Sequence, residues 1–543
     1  MNTTKPQATT CSGLLREAAA LHPERTAYIF DDRHSTFAEF DATVSRWAKG
    51  LLHLGVQRGE AISVLAGNHP HFLHLAFAAA RIGAHLAPLN TWHTPDELQY
   101  TLNHSDAVAL FTVDILRARN FNAAVSSFLP ELNEARAGRT FAAAPELRDV
   151  VSLGQGLPGM MNVESLLEGA QHISDDQLHE REQLNAPSDL MYLLYTSGST
   201  SKPKAVMLHQ GDAIENGYQI GVRQGIDETD RAWLVTPLFY GVAALQALFA
   251  TWTHFGTIVL QEAFEPSAAL EILERHRCTV YFGFGNLTRK LLAAPGFDKA
   301  KVFLRKGMIG FSVEDRRLAI EELGVEHGVS VYGLTETYGL AALTDYRDPK
   351  EVVMTTQGKP LPGVDIRIVN PETGQPVEAG VVGAITVRGR TTSGYYKDPV
   401  RSMEAFTADG YFLTGDLGRY DRDGRLQFQD RSGEMIKTGG VNVSPQEVEM
   451  LLDRVPGIRQ AHVCAVHDEE QGQAVAAFID ADADLSPDVI RQQLKAVAAS
   501  YKIPKYFFYR SDDSLPRLAS GKISLPALKK EAAELVSGAV EAR

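Results

Sequence analysis

Apolar positions recur at helical spacing from Val44 to Gly55, and the continuous apolar run Ala61–Ala66 then reads as a buried strand. His74–Gly83 follows as a small-residue helix closed by glycine. The alternation returns at Ala232–Thr236, Thr257–Leu260, Val280–Phe284 and Val329–Tyr332, which predicts a large α/β body. After about residue 360 the texture changes to short alternating runs, Val364–Val369, Gly383–Val387 and Arg425–Gln429, separated by PETG, DG and GR turns. A mostly antiparallel β-rich subdomain is expected over about 360–430. From Ser432 onward strands at Ala461–Val466, Ala474–Ile479 and Phe507–Tyr509 mix with an amphipathic helix at Pro487–Ala499, the pattern of a small α+β C-terminal domain. The expected fold is therefore α/β, with an N-terminal domain over 1–431 and a C-terminal domain over 432–543.

Composition narrows the function. At 543 residues the chain is too long for one hydrophobic core, and 44% hydrophobic with 22% charged residues excludes disorder as its main state. Lys and Arg total 53 against 67 Asp and Glu, so a net charge of -14 argues against broad attraction to nucleic acid or anionic lipid. The three cysteines, Cys11, Cys278 and Cys464, lie far apart and fit a reducing compartment better than a disulfide framework or zinc site. Residues 1–12 lack the basic and apolar parts of a secretory signal, and no run of about 18 apolar residues occurs, so a cytoplasmic protein without a membrane span is expected.

Candidate chemistry begins at residue 190. The apolar strand Leu190–Tyr195 runs into Thr196, Ser197, Gly198, Ser199, Thr200, Ser201, Lys202, Pro203 and Lys204 before a second apolar run, Ala205–Leu208. Free backbone amides, hydroxyls and two lysines between buried strands suit a polyphosphate. The loop is not a Walker A motif, because no Gly-Lys-Ser/Thr ending opens a helix. Read on composition alone, it could equally be a Ser/Thr linker.

YTSGSTSKPKAV at 195–206 resembles the phosphate-loop signature of the adenylate-forming superfamily of acyl-CoA ligases, nonribosomal adenylation domains and luciferases. PLFY at 237–240, YGLTET at 332–337, TGD at 414–416, DRSGEMIKTGG at 430–440 and LPRLASGK at 515–522 follow in the family's order. The resemblance spans essentially the whole chain and is greatest to free-standing acid–CoA ligases. It implies ATP, Mg²⁺ and CoA as cofactor and co-substrate, a small carboxylic acid as substrate, and a monomer or homodimer.

Roles follow from the same resemblance. Lys522 is implied as the catalytic lysine bridging carboxylate and α-phosphate, where a compact ammonium suits the task. Glu336 is the implied Mg²⁺ carboxylate, with Thr200 beside the metal, Thr335 on the α-phosphate, and Tyr332 and Gly333 against adenine. Asp416 would accept the ribose hydroxyls and Arg431 would reach ribose or phosphate. Lys437, Gly439 and Gly440, with Asn442, would serve the CoA step, since glycine lets a pantetheine arm pass close to backbone. A domain rotation with its pivot just after Arg431 is implied by Lys522 and the Gly-Gly loop serving different steps. Taken singly, each of these residues also reads as a turn or surface residue.

The pattern is not followed everywhere. Ser201 and Ala205 replace loop glycines, tolerable where neither needs a positive φ. His209 falls one residue before the family's histidine, whose register holds Gln210, and Tyr240 stands where a second histidine is usual. Phe311 replaces a small residue beside adenine, and Gly433 occupies the hinge. Candidate walls of the acid pocket are Phe239, Tyr240, Gly241, Phe282, Phe284, Gly285, Gly310, Tyr338 and Gly339, a set that suits a flat or moderately long apolar acid and includes no arginine for a second carboxylate. The leading expectation is ATP-dependent formation of acyl-adenylate and then acyl-CoA. The alternative is transfer of the activated acid, or of an unusual oxyacid such as nitrite, to a carrier protein or an amine.

Overall fold

The structure, a computed structural model, describes residues 5–135, 140–196, 203–310, 313–431, 435–481, 485–511, 514–516 and 523–541. It divides into two compact units: Met1–Thr91, Leu98–Leu194 and Ala205–Asp430 form the first, and Trp92–Glu97, Tyr195–Lys204 and Arg431–Arg543 the second.

The first unit is built on two seven-stranded sheets. In one, the strands Arg231–Leu234, Thr257–Leu260, Val280–Phe282, Lys306–Met308 and His327–Val329 run parallel, with Thr26–Phe30 beside Thr257–Leu260 and the antiparallel strand Arg33–Thr36 at the edge. In the other, Ala61–Leu65 pairs in parallel with His85–Pro88 and Ala107–Thr112, and Leu190–Thr196 joins through Tyr192 opposite Leu86. Continuous apolar runs such as AISVL, every residue buried, are what a parallel sheet covered on both faces requires. The helix expected from Val44 begins earlier, at Phe37, because Thr36 and Glu39 form a capping box that fixes the first turn at Phe37–His53. The second helix likewise starts at Pro70, whose fixed φ suits a first helical position.

Beyond residue 360 the strands Asp365–Val369, Gly383–Arg388, Phe412–Tyr420 and Leu426–Arg431 form a four-stranded sheet, antiparallel across its first two pairings. The second unit carries a mixed sheet in which Ile458–Asp468 and Gly472–Ala481 pair antiparallel and Tyr506–Tyr509 adds in parallel. Its helix Pro487–Val497 buries Ile490 and Leu494. These features are the α/β body, β-rich layer and small α+β unit that the alternation of apolar positions predicts. Among the described residues no helix is long and apolar enough to cross a membrane.

Candidate functional site

Within the first unit, Val331–Tyr332 pairs antiparallel with Ala342–Leu343, so residues 333–341 form a closed loop. Inside it Thr335–Thr337 make a single 3-10 turn, held by the Leu334 amide donating to the Thr337 hydroxyl at 3.0 Å. Chain crosses chain at Gly333, where a β-carbon would stand 2.3 Å from the Gly339 carbonyl oxygen; only glycine fits that crossing. The consequence is that Tyr332, Thr335 and Glu336 are presented by one short, tightly closed segment.

Two buried carboxylates mark the site, Glu336 and Asp416, each only 5% exposed. The Tyr395 hydroxyl donates to Glu336 Oε1 at 3.0 Å, and the Thr392 amide donates to the Glu336 carbonyl at 2.6 Å. The Tyr332 hydroxyl donates to Asp416 Oδ2 at 2.9 Å, while the Tyr332 ring stacks on Phe428 with centroids 6.0 Å apart and planes 29° apart. Asp416 is itself placed by its amide donating to Thr414, whose hydroxyl donates to the Ile385 carbonyl across the β-rich sheet. Buried acids persist only where donors replace water, and the tyrosines supply some of those donors here. Mg²⁺ is commonly held by one or two carboxylates together with substrate phosphates, and Glu336 offers a hard oxygen of that kind. No cluster of three His, Cys, Asp or Glu able to hold a metal occurs among the described residues.

Gly241 faces Thr335, with the hydroxyl oxygen 3.8 Å from where its β-carbon would stand. Phe239 and Tyr240 pack ring to ring at 4.7 Å, and Asn90 reaches the Tyr240 hydroxyl at 3.4 Å. Phe284 caps the helix Gly285–Leu292, and Asp315 fills the space that side chains at Gly285 and Gly310 would need. Arg289 pairs with that carboxylate at 2.8 Å. This corner therefore does hold an arginine, already charge-balanced, which the set read from the sequence omits.

Tyr338 differs from a plain wall. It is fully buried, its hydroxyl accepts the His209 amide at 2.9 Å, and its carbonyl accepts from Asn216. Burial raises both its phenol and the neighbouring Asp212 carboxyl above their ordinary ranges. The two residues at the shifted histidine register are also engaged. His209 holds the Ser188 carbonyl at 2.7 Å and the Ser393 hydroxyl at 2.8 Å, while the fully buried Gln210 accepts the Cys11 amide at 2.8 Å. Ala205 is buried without a positive φ, so its replacement of a glycine carries no backbone strain.

The Thr196 hydroxyl is buried with no hydrogen-bond partner among the described residues, and Lys204 opens the strand Lys204–His209. Lys437 lies on the strand Ile436–Thr438, opposite Asn442 on Val441–Val443. Gly439 and Gly440 form the two-residue turn between these strands, with φ of 56° and 88°. Such a turn needs positive φ at both central positions, so these glycines are demanded by the hairpin itself. Arg431 ends the strand Leu426–Arg431. Ser197, Gly198, Ser199, Thr200, Ser201, Lys202, Phe311, Gly433 and Lys522 lie outside the described residues. Tyr395 and Asn90 are absent from the sequence reading. Nothing in the run Ser393-Gly394-Tyr395-Tyr396 tells which tyrosine turns inward; Tyr396 instead bonds Asp106 at 2.9 Å.

The chain matches the AMP-binding enzyme family over residues 15–396 and the AMP-binding enzyme C-terminal domain over residues 447–522. It is 32% identical over 537 residues, 97% of each chain, to YngI of Bacillus subtilis, provisionally named an acyl-CoA synthetase. Acyl-CoA ligase sidI of Aspergillus fumigatus is 30% identical over 521 residues, covering 92% of this chain and 87% of that protein. Among solved structures, o-succinylbenzoate CoA synthetase (MenE) from Bacillus subtilis, bound with its product analogue, superposes with a TM-score of 0.77 at 25% identity, covering 95% of this chain and 98% of that one.

Proposed function

The chain belongs to the AMP-binding enzyme family, and we infer from that membership and from its relatives that it is an ATP-dependent, AMP-forming ligase that makes acyl-CoA from a carboxylic acid. The observation that carries this reading is the likeness, along nearly the full length, to proteins named as acyl-CoA synthetases and ligases. Acceptors other than CoA, a carrier protein or an amine, are not favoured by these relatives.

The chemistry sets what the residues must do. A carboxylate is a poor electrophile, so its oxygen first attacks the α-phosphorus of ATP and pyrophosphate leaves; the CoA thiol then attacks the acyl carbon and AMP leaves. Both steps gather negative charge, which preorganised donors and cations stabilise. In our reading Tyr332 lies against adenine, Asp416 accepts the ribose hydroxyls, and Thr335 donates to the α-phosphate. Glu336, with Thr200, would hold Mg²⁺, which supplies charge neutralisation at the phosphates. Lys522 bridges carboxylate and α-phosphate in the first step, and Lys437, Gly439 and Gly440 line the CoA path in the second. The buried setting of Glu336 and Asp416 supports these two roles, since each carboxylate is kept dry, oriented and bonded by a tyrosine.

The substrate is proposed to be an apolar acid, flat or of moderate length, bounded by Phe239, Tyr240, Gly241, Phe284 and Gly310. A panel of aromatic and medium-chain acids, assayed for AMP and thioester with and without CoA, tests the reading. Thioester and AMP should form together only when acid, ATP and CoA are all present. AMP formed with every acid but never a thioester would overturn it.

A further inference from the structure

The Gly439–Gly440 hairpin has arms of only three residues, Ile436–Thr438 and Val441–Val443. Its core end is secured by burial of Ile436 and Val443, and Ile436–Thr438 joins the sheet through Thr438 opposite Gly472 on the strand Gly472–Ala481. Side chains of that strand and of the turn before it hold the tip as well. The Lys437 amide donates to Gln473 Oε1 at 2.8 Å, the Thr438 hydroxyl donates to Gln471 Oε1 at 2.8 Å, and the Gly439 amide donates to the Gln471 carbonyl at 2.9 Å. Consecutive positions leading into the turn are thus tied to two glutamines. Asp468 fixes that clamp in turn, accepting the Gln471 amide at 2.9 Å, Lys505 Nζ at 2.6 Å and the Tyr506 hydroxyl at 3.0 Å.

Gln473 is exposed and Gln471 half-buried. Hydrogen bonds at such positions add little to global stability, because water replaces them when they break. Their effect is on where the hairpin tip stands. A thiol attack on an acyl carbon is sensitive to placement at the scale of about 1 Å, so a tip free to rock would slow transfer without unfolding anything.

We propose that Gln471 and Gln473 are positioning residues for the thioester-forming step, holding the Lys437–Gly440 edge in the place along which CoA passes. This rests on the reading that this hairpin serves CoA. Adenylate formation does not use this edge and is independent of the clamp.

The test uses the full-length enzyme and the acid it turns over best. Acid-dependent pyrophosphate exchange is measured first, then single-turnover transfer from preformed acyl-adenylate to CoA. In the double variant Gln471→Met with Gln473→Met, exchange should stay within about twofold of the parent while transfer falls about tenfold, the loss expected when two side-chain hydrogen bonds no longer position the tip. Gln471→Glu, which keeps an oxygen acceptor for Thr438, should recover most of the transfer rate relative to Gln471→Met. Thr438→Val removes the same bond from its other end and should reproduce the Gln471→Met loss without adding to it; these single variants decide the matter if the double variant does not fold. Transfer unchanged in the Met variants, or exchange falling in step with transfer, overturns the clamp and leaves the ligase reading standing. A parent enzyme that forms adenylate but never transfers it to CoA overturns both.

Discussion

Tyr395 donates its hydroxyl proton to Glu336 Oε1 at 3.0 Å, and both side chains are buried. This hydrogen bond orients a carboxylate that has little water around it. Losing a donor to a buried charge costs about 1.5–3 kcal/mol, more than a surface contact is worth. Tyr395→Phe should therefore lower kcat/KM for ATP about tenfold. Tyr396→Phe, which removes a hydroxyl bonded to Asp106 instead, should stay within about twofold of the parent. Equal losses in the two variants, measured at saturating acid and CoA, would remove Tyr395 from the site.

Glu336→Gln replaces an anionic oxygen by a neutral one of the same shape. Turnover should drop strongly, and the Mg²⁺ concentration giving half-maximal rate should rise, because a hard cation loses its charged ligand. A Mg²⁺ titration identical to the parent's would make Glu336 an ordinary buried acid.

Lys522→Ala should abolish acid-dependent pyrophosphate exchange while ATP binding, followed by calorimetry, stays measurable. A charge that acts in the transition state lowers kcat and kcat/KM together. Exchange at the parent rate in a folded Lys522→Ala protein would falsify the role.

The Tyr332 hydroxyl and ring carry separable duties. Tyr332→Phe keeps the ring stacked on Phe428 but frees Asp416 of one donor. KM for ATP should rise about threefold to tenfold with kcat little changed, the pattern of lost uniform binding. Steady-state rates over a range of ATP concentrations distinguish this from a fall in kcat, which would place Asp416 in the chemical step.

Acid should destabilise the fold through histidines kept neutral by burial. Burial pushes His74 down to about 3 and His71 to about 4, each helped by neighbouring histidines, and burial alone takes His85 to about 4. Unfolded histidine titrates near 6.5, so between that pH and the folded values the unfolded chain binds more protons. The stabilisation is complete above about pH 6.5 and is lost as pH falls, at up to about 1.4 kcal/mol per pH unit for each group. Tm should fall from about pH 7 to about pH 4.5, and the slope should be shallower in His74→Gln, which can still hydrogen-bond the Tyr28 hydroxyl. An unchanged slope would show that carboxylates alone govern the acid limb.

Gly440 shows how the two levels of description differ. From the sequence a glycine pair beside Lys437 reads as room for a pantetheine arm; the positive φ at both residues shows that the hairpin turn needs them regardless. Gly440→Leu would therefore strain the backbone as well as fill space, and the flanking glutamines are the cleaner probe of the second step.

The alternation of buried strands and amphipathic helices was legible from the chain alone, because periods of 2 and 3.6 residues are local properties of a backbone and of which face it buries. AISVL at Ala61–Leu65 and TIVL at Thr257–Leu260 carry that information in their own composition. So do the ordered motifs, whose residues sit within a few positions of one another. Pairings across the chain were not legible. Tyr395 is 59 residues from Glu336, Asp416 is 84 from Tyr332, and Gln471 is 33 from Thr438. Each pair meets because strands and turns bring distant segments together, and no local pattern records which of two adjacent tyrosines, or which of many glutamines, will face inward. The elements and the available chemistry follow from local patterns along the chain, whereas which donors stand beside which carboxylates follows from the fold, since hydrogen bonding depends on distance in space and not along the chain.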